Sequence, residues 1–284
     1  MVGFQAHLQA QGDSVARPVA RLLKTLEEFR ECERIQHEVW ASVAASAELL
    51  SVTQKYGGVV LGAFAGRKMV GFLYALLAQR HGCLIHWSHM MAVRDGYRDL
   101  GLGFQMKLVH RKLALERGIK SICWTYDPLQ SRNSYFNICR LGASIEEYVV
   151  DCYGRFPSAI EKGLPSDRLV ANWKIGSSAV ERRLREGALH QNYANLPRAN
   201  ETRLNSLGFI ENKKIHLSLR GPQLLVAIPN NTDKMRAENP KLALRWRMGT
   251  RRIFEHYFRA GFHVEDFFPP SAQTAGACFY LLGR

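Results

Sequence analysis

The chain has 284 residues, of which 46% are hydrophobic and 23% charged, and its formal net charge is +14. These values are ordinary for a globular protein and exclude a fibrous repeat or a wholly disordered chain, and apolar runs such as residues 59–65 are far shorter than the roughly 20 residues of a membrane-spanning helix. The positive charge favours anionic partners, namely a phosphorylated cofactor, an acidic substrate, nucleic acid or an anionic membrane surface.

The cysteines and the N-terminal segment bear on the class of protein. The six cysteines include no close C-x-x-C pair, which argues against a structural zinc site and against a disulfide-stapled scaffold. The first 20 residues show little periodicity and lack the continuous apolar segment of a secretory signal. We therefore expect a loose leader over residues 1–25, no metal site and a cytoplasmic location.

The first elements alternate between helical and strand-like patterns. Apolar residues at helical spacing over 26–52 predict one or two helices that end at Gly57. The apolar runs 59–65 and 69–77, joined by a short turn-forming segment, predict a β-hairpin. A third strand is expected over 84–93.

Beyond that strand the pattern becomes helical again. It predicts a helix over 104–117, a strand over 119–126 and a short helix over 133–141 that Gly142 caps. Past residue 174 the segment 176–205 is expected to be a helix with a linker. The remaining expected elements are strands at 215–219 and 224–228, a helix at 240–260, and final strands at 262–267 and 277–282.

The sequence thus divides into a leader (1–25), a first domain (26–175) and a C-terminal α+β part (176–284). That C-terminal part forms either a small lobe of its own or extra strands on the first sheet, and both arrangements stay open at this point.

A glycine-bearing turn, residues 98–103, lies between the third strand and the next helix. Backbone N–H groups converge at such a turn and the helix dipole favours an anion there, while Gly101 and Gly103 let a phosphate approach without a Cβ in the way. A Walker A loop needs Gly-Lys-Ser/Thr, and a dinucleotide fingerprint needs a third glycine with an acidic residue about 20 positions later. Neither pattern is present.

The stretch Arg98-Asp99-Leu100-Gly101-Leu102-Gly103, preceded by a strand ending in Val93, resembles the pyrophosphate turn Arg/Gln-x-x-Gly-x-Gly/Ala of the GNAT superfamily of acetyltransferases. The resemblance covers residues 26–174, and the chain also resembles a largely uncharacterised bacterial branch that has a C-terminal extension. It implies an α/β (α+β) fold with a mixed, mostly antiparallel sheet flanked by helices, and a C-terminal α+β extension.

The same resemblance implies that acetyl-CoA is the cofactor and that backbone amides from Leu100 to Phe104 bind its pyrophosphate, while the strand before the turn pairs with pantetheine. The segment 124–143 is similar to the strand and helix that complete the cofactor site. The implied cofactor-binding residues are Met91, Val93, Arg98, Leu100, Gly101, Leu102, Gly103, Phe104 and Asn133.

Two residues are candidates for proton transfer. The superfamily often has a tyrosine four residues before the helix-ending glycine, where its hydroxyl protonates the leaving thiolate, but this chain has Ile138 there. Tyr135 and Tyr126 are the nearby tyrosines that could substitute for this hydroxyl, and we take Tyr135 as the candidate. His89 is the candidate general base, because a base with a pKa near neutrality suits this role and strand alternation places it on the side of Met91 and Val93. His86 then faces the other way. A purely structural role stays open for each of these side chains.

The expected helix 240–260 carries Arg245, Arg252 and Arg259 on one face with Arg247 and Arg251 alongside, a stripe that either contacts phosphates or is simply solvated. Three function classes therefore remain: an enzyme that transfers an acetyl group from acetyl-CoA to a primary amine, a non-catalytic coenzyme A-binding or regulatory protein, and a basic nucleic-acid-binding protein. Ile138 favours the second, and no recognition motif supports the third.

Overall fold

The structure of the protein is a computed structural model that describes residues 18–154, 164–188, 193, 195–271, 274 and 276–284. The expected leader lies outside the described residues up to residue 17. The strands are, in chain order, β1 (Val19–Leu22), β2 (Val59–Ala65), β3 (Lys68–Arg80), β4 (Cys83–Val93), β5 (Ile122–Tyr126), β6 (Ser144–Val149), β7 (Arg168–Trp173), β8 (Asn200–Leu204), β9 (Ile210–Ile215), β10 (Gln223–Pro229), β11 (His263–Phe268) and β12 (Ala277–Gly283). The helices are α1 (Leu26–Trp40), α2 (Ala47–Lys55), α3 (Leu102–Glu116), α4 (Ser131–Ser134), α5 (Ser178–Glu186), α6 (Thr232–Glu238) and α7 (Pro240–Arg259).

Ten of these strands form one sheet in the order β1-β2-β3-β4-β5-β7-β6-β11-β12-β10. Every neighbouring pair in it is antiparallel except β4 and β5, which run parallel. Helices α1 and α2 cover one face of β2–β4, while α3 packs on the other face. The expected fold class, a mixed and mostly antiparallel sheet flanked by helices, is confirmed.

The C-terminal strands β10, β11 and β12 extend the first sheet, since β11 pairs with β6 and β12 with both β11 and β10. Of the two arrangements left open by the sequence, extra strands on the first sheet is therefore the one observed. The sheet continues across residue 175, and among the described strands β8 and β9 form a separate two-stranded sheet.

Several elements differ from the sequence expectations. Strand β1 lies at the end of the expected leader, and β8 lies in the segment expected to be helix and linker. The strand expected at 215–219 is wrong, since β9 covers Ile210–Ile215 and residues 216–219 are not in a strand. The interior of β9 is the polar run Glu211 to Lys214, which hides the strand period. Helix α6 is only seven residues long, too short to show helical periodicity, and the side chain of Asn231 caps it.

Helix α7 confirms the expected apolar stripe, since Leu242, Trp246, Ile253 and Tyr257 are all buried. Its basic face is narrower than expected. Arg245, Arg252 and Arg259 are exposed, but Arg247 and Arg251 turn inward and form ion pairs with Asp127 and Asp167, each at 2.6 Å. Among the described residues no helix has the length and apolarity needed to cross a membrane.

Candidate active site

The parallel strands β4 and β5 pair at only two positions, His86 with Ile122 and Trp87 with Cys123. Beyond these pairs β4 continues to Val93 along β3, while β5 continues to Tyr126 along β7. The two strands therefore part, and the edge of β4 beyond Trp87 faces an opening in the middle of the sheet. We call this opening the fork.

Helix α3 begins at the wide end of the fork. Its N-cap residue is Gly101, whose φ of 76° is a left-handed conformation that favours glycine. No side chain caps this helix end and no acidic residue lies in the first turn, and the first intrahelical bond runs from the Gln105 N–H to the Gly101 carbonyl. The N–H groups of residues 102–104 thus remain available to an anion.

A cavity of about 690 Å³ opens directly onto this helix end; we call it the cofactor-side cavity. Eight of the nine residues expected to bind the cofactor line it, namely Met91, Val93, Arg98, Gly101, Leu102, Gly103, Phe104 and Asn133. Leu100 does not, and its side chain is 57% exposed. The turn also carries one carboxylate, that of Asp99, which is ion-paired with Arg132.

The C-terminal part of the chain supplies one wall of the cofactor-side cavity, with Asn230, Asp233, Phe267, Pro269, Pro270 and Cys278. Hydrogen bonds hold this part of the chain against the first residue of α4 and the loop that precedes it. The Ser131 hydroxyl donates to the Asn230 carbonyl at 2.6 Å, the Thr232 hydroxyl to the Leu129 carbonyl at 2.8 Å, and the Tyr280 hydroxyl to the Pro128 carbonyl at 2.8 Å.

A second cavity, of about 470 Å³, meets the first one at Met91, Gln130, Asn133 and Phe136. We call it the inner cavity. The described charged residues that line it are Lys107, Asp127, Arg168, Arg236 and Arg247, together with the imidazole of His89. Two adjoining spaces of this kind, one opening onto a helix N-terminus and one lined by titratable groups, suit a bound anionic cofactor and a reacting centre beside it.

The β4 register shows that the expected side of His89 is wrong. A bulge between Tyr74 and Ala75 places Met90 opposite Tyr74 but Ser88 opposite Ala75, which leaves His89 as the extra residue. Its ring packs edge-on against Tyr74, at 5.9 Å between centroids, on the sheet face covered by α1 and α2. Because single-residue alternation fails at a bulge, His89 does not share the side of Met91.

His89 nevertheless lines the inner cavity and is exposed, so it is not a core histidine. The surrounding protein still desolvates the ring, which lowers its pKa and keeps the imidazole neutral at neutral pH. His89 thus retains a lone pair that is able to accept a proton.

His86 lies on the α3 side of the sheet, again because of the bulge. Its Nε2 lies 3.1 Å from the Gly57 carbonyl oxygen and its Nδ1 lies 3.0 Å from His110 Nε2. A carbonyl only accepts, so Nε2 of His86 carries the hydrogen and Nδ1 accepts from His110. Burial lowers the pKa of both rings. This neutral pair joins β4 to α3 and lines neither of the two cavities.

Tyr135 lies in a π-helical segment, Tyr135–Arg140, that continues α4, and it lines the cofactor-side cavity. Ile138, at the position where the resembled superfamily often has tyrosine, is buried in the core. Tyr126 lines the inner cavity, but burial raises the pKa of its phenol well above the usual value. Tyr135 is the more accessible of the two phenols considered from the sequence, since Tyr126 is buried and Tyr135 only half-buried.

Several polar groups at the inner cavity could not be identified from the sequence, among them Ser88, Lys107 and the Asp127–Arg247 ion pair. Lys107 lies on the sheet-facing side of α3. In the sequence its one distinguishing feature is that it is a lysine between the apolar residues Met106 and Leu108. Asp127 and Arg247 are 120 residues apart in the chain, so no local pattern joins them.

Comparison with protein-family models gives no match, and comparison with curated proteins gives none either. Solved structures do match. An acetyltransferase of the GNAT family from Streptococcus pneumoniae is 16% identical, over 55% of this chain and 97% of its own, with a TM-score of 0.44. The ribosomal-protein-S18-alanine N-acetyltransferase from Escherichia coli is 13% identical, over 57% and 96%, with a TM-score of 0.46.

A third structure, Arabidopsis thaliana Naa50 in complex with a bisubstrate analogue of coenzyme A, is 11% identical over 55% of this chain and 98% of its own, with a TM-score of 0.45. Each of these structures corresponds to little more than half of the chain. The chain is similar to structures of GNAT acetyltransferases over that part.

Proposed function

We propose that this protein is an acyltransferase that moves an acetyl group from acetyl-CoA to a primary amine. The observation that carries the proposal is the continuity between the uncapped N-terminus of α3 and the fork, through one cavity lined by residues 101–104 of the helix start and by Met91 and Val93 of β4. An anion at the helix end and an extended chain along the β4 edge fit this shape together.

The residues of the cofactor-side cavity fit coenzyme A. The N–H groups of residues 102–104 and the Arg98 guanidinium suit a pyrophosphate. Arg98 stays near the turn because its Nε donates to the Val93 carbonyl at 3.2 Å. Pantetheine amides suit the edge of β4 along the fork, as an added strand would. Acetyl-CoA, when bound, supplies an activated thioester.

The remaining roles belong to side chains that line the two cavities. His89 accepts a proton from the acceptor ammonium, because its lowered pKa keeps the imidazole neutral. Tyr135 donates a hydrogen bond toward the leaving sulfur from the wall of the cofactor-side cavity. Asn133, which lines both cavities, orients the cofactor where they meet. The cytoplasmic location stays a prediction.

A non-catalytic coenzyme A-binding protein is the second candidate, and the burial of Ile138 at the expected acid position favours it. Nucleic-acid binding has less support. Of the five arginines expected to form a basic stripe on α7, Arg245, Arg252 and Arg259 are exposed, and Arg259 is itself paired with Glu255 at 2.9 Å. Steeply salt-dependent association with DNA or RNA would be needed to revive that alternative.

Binding is tested by calorimetric titration with coenzyme A of the wild type, Gly101→Ala and Gly118→Ala. Both glycines have positive φ, 76° and 72°, with open space where a Cβ would go, so both substitutions cost about 1–2 kcal/mol of backbone strain. Gly101 lies at the start of α3 and Gly118 just beyond its end. We expect about tenfold weaker binding for Gly101→Ala alone. Equal loss in both variants, or no binding by the wild type, contradicts the proposed site.

Transfer is tested separately by incubating the protein with acetyl-CoA and a panel of amines and N-terminal peptides, and by mass spectrometry of the products. An acetylated amine that the His89→Gln variant forms at least about 100-fold more slowly supports the enzyme with His89 as base. Coenzyme A binding without any acetylated product identifies the non-catalytic alternative.

A further inference from the structure

The inner cavity has two sides, because the strands that bound the fork have two faces. Parallel neighbours share a face, so Ile122 of β5 lies on the α3 side with His86, its partner on β4. Strand alternation places Trp124 on that side as well and Thr125 on the opposite side, where His89 also lies. We call this opposite side of the cavity the acceptor side, since the proposed base is there.

Arg168 belongs to the acceptor side. Val170 pairs with Thr125 in the antiparallel register, so Val170 and, two residues before it, Arg168 share the face of Thr125. The Tyr153 hydroxyl oxygen lies 2.8 Å from that of Thr125, and the Arg168 guanidinium carbon lies 5.2 Å from the Tyr153 ring centroid. Trp40 of α1 lines the cavity from the helix layer that covers this face. The described residues of the acceptor side are thus Trp40, His89, Thr125, Tyr153 and Arg168.

The Arg168 side chain starts from a fixed point of the backbone. Its Nη1 donates to the Asp167 carbonyl at 3.0 Å. The Asp167 carboxylate is fully buried, and it accepts from Arg251 at 2.6 Å and from the Tyr148 hydroxyl at 2.7 Å. A guanidinium has a planar fork of N–H donors that matches the two oxygens of a carboxylate. Arg168 is therefore placed to bind an anionic group on the side of the cavity that holds His89.

The described residues that line the inner cavity carry more positive than negative charge. The cationic ones are Lys107, Arg168, Arg236 and Arg247, and the acidic one is Asp127. Arg247 is ion-paired with Asp127, and Arg236 with Asp233 of the cofactor-side cavity. The other oxygen of Asp127 accepts from the Leu129 N–H. The one carboxylate among these lining residues is thus already engaged when an acceptor ammonium arrives.

This charge selects among amines. Positive surroundings disfavour an ammonium and lower the pKa of the acceptor amine, which eases the transfer of its proton to the neutral His89. Burial lowers the pKa of Lys107 to about 7, so its charge adds to the others in part at neutral pH. An amine without any other charge is repelled by such a cavity, whereas an amine with an anionic group is attracted to it.

We propose that the acceptor is a small primary amine with an anionic group of its own, in the first place the carboxylate of a free amino acid, and that Arg168 binds this group while the amine faces His89. The inference rests on the proposed acetyl transfer and names the class of acceptor. The cavity of about 470 Å³ has room for an amino acid, and the rings of Trp40, Trp124 and Phe136 suit an apolar side chain.

The product is then an N-acetyl amino acid, and the protons balance without a further group. His89 takes one proton of the ammonium. The amine nitrogen bonds to the acetyl carbon as the carbon–sulfur bond breaks, and a second amine proton goes to the departing sulfur. The proposed roles of His89 and Tyr135 are unchanged, because Arg168 binds a part of the acceptor that does not react.

The test compares amines that differ in one charge. The panel pairs glycine, leucine and phenylalanine with their C-terminal amides, and O-phosphoethanolamine with ethanolamine. Each amine is titrated calorimetrically into the full-length protein with coenzyme A bound, and kcat/KM for its acetylation is measured with acetyl-CoA. We expect each acid to exceed its amide by about 10- to 100-fold in both measurements. The amine of an amino-acid amide loses its proton more readily than that of the acid, so amine reactivity does not produce this preference.

Arg168→Gln separates binding of the anion from general damage to the site. It should weaken the acids to the level of their amides and leave the amides unchanged, whereas poor folding or poor coenzyme A binding lowers both together. Arg168→Lys, which keeps the charge but not the planar fork, should keep part of the preference. Arg245→Gln is the matched control and should behave like the wild type, since Arg245 is exposed on α7 and lines neither cavity.

Each outcome decides a different statement. Amides that bind and react as well as the acids in the wild type, or binding of neither, overturn the inference and leave the proposed function standing. A preference for O-phosphoethanolamine alone supports the anion site with phosphate as its ligand. A preference that Arg168→Gln retains in full overturns the role of Arg168. Failure of the wild type to bind coenzyme A overturns the proposed function and this inference with it.

Discussion

The ion pair between Asp127 and Arg247 buries a guanidinium almost completely. The Arg247 side chain is 2% exposed and its Nη2 lies 2.6 Å from Asp127 Oδ2. The other two guanidinium nitrogens are buried and have no hydrogen-bond partner among the described residues. At 2.6 Å and an effective dielectric constant of about 20, Coulomb attraction alone amounts to roughly 6 kcal/mol.

Asp127→Asn removes that attraction but keeps the shape, and the amide oxygen is still able to accept the bond that the Leu129 N–H now gives to Asp127. We expect the variant to lose about 3–5 kcal/mol of unfolding free energy, because it leaves a buried guanidinium without a counter-charge. The double variant Asp127→Asn/Arg247→Met removes the orphaned charge and should regain most of this loss.

The assay is urea unfolding followed by far-UV circular dichroism and tryptophan fluorescence at neutral pH, analysed as a double-mutant cycle. A loss below about 1 kcal/mol in Asp127→Asn would show that Arg247 is solvated or paired otherwise. If the double variant has no higher unfolding free energy than Asp127→Asn, the packing of these side chains and not their charge stabilises this part of the inner cavity.

Three further predictions concern buried polar groups. Lys107 has a folded pKa of about 7, below its usual value of 10.5, so the unfolded chain binds more protons above pH 7. Relative to Lys107→Met, the unfolding free energy of the wild type should rise by up to about 1.4 kcal/mol per pH unit from pH 7 to 9. Urea unfolding at several pH values measures this, and an equal pH dependence in the two proteins would contradict it. Burial lowers the pKa values of His86 and His110, so the unfolding free energy should fall as the pH drops below about 6.5. Acid titration followed by circular dichroism should show a less steep fall in His110→Gln. Tyr280→Phe removes the bonds of its hydroxyl to Pro128 and to the Ser134 side chain and should cost about 1–3 kcal/mol in thermal and urea unfolding, whereas an unchanged midpoint would show that water replaces both.

The elements with clear apolar patterns could be predicted from the sequence. The hairpin β2–β3, strand β4, helix α3 and helix α7 all have a continuous strand or helix pattern, and the structure places them within a few residues of the expected bounds. Strands β8 and β9 lie apart from the main sheet and are half polar, so neither shows the alternation that marks a half-buried strand.

Within the site, the turn at residues 98–103 could be predicted from the sequence. Such a turn binds an anion through backbone N–H groups, and its glycines are visible in the local sequence. The side of His89 could not, because the bulge at residues 88–90 depends on pairing with Tyr74 and Ala75 of β3. One extra residue reverses every inference from strand alternation beyond it. The same bulge keeps Ser88 and Met91 on one face, which places the serine on the α3 side where Lys107 reaches it.

The C-terminal strands do more than widen the sheet. The loop between β5 and α4 leads into the helix that lines both cavities. The C-terminal part of the chain contacts this loop at three residues: Tyr280 bonds to Pro128, Thr232 to Leu129 and Arg247 to Asp127. These bonds are buried or partly buried. Breaking them is costly because it leaves two carbonyl groups and a guanidinium without these partners. The position of α4, and with it the width of the fork, is therefore coupled to the folding of residues 223–284. A chain ending before β10 should bind coenzyme A weakly even where its first sheet still folds.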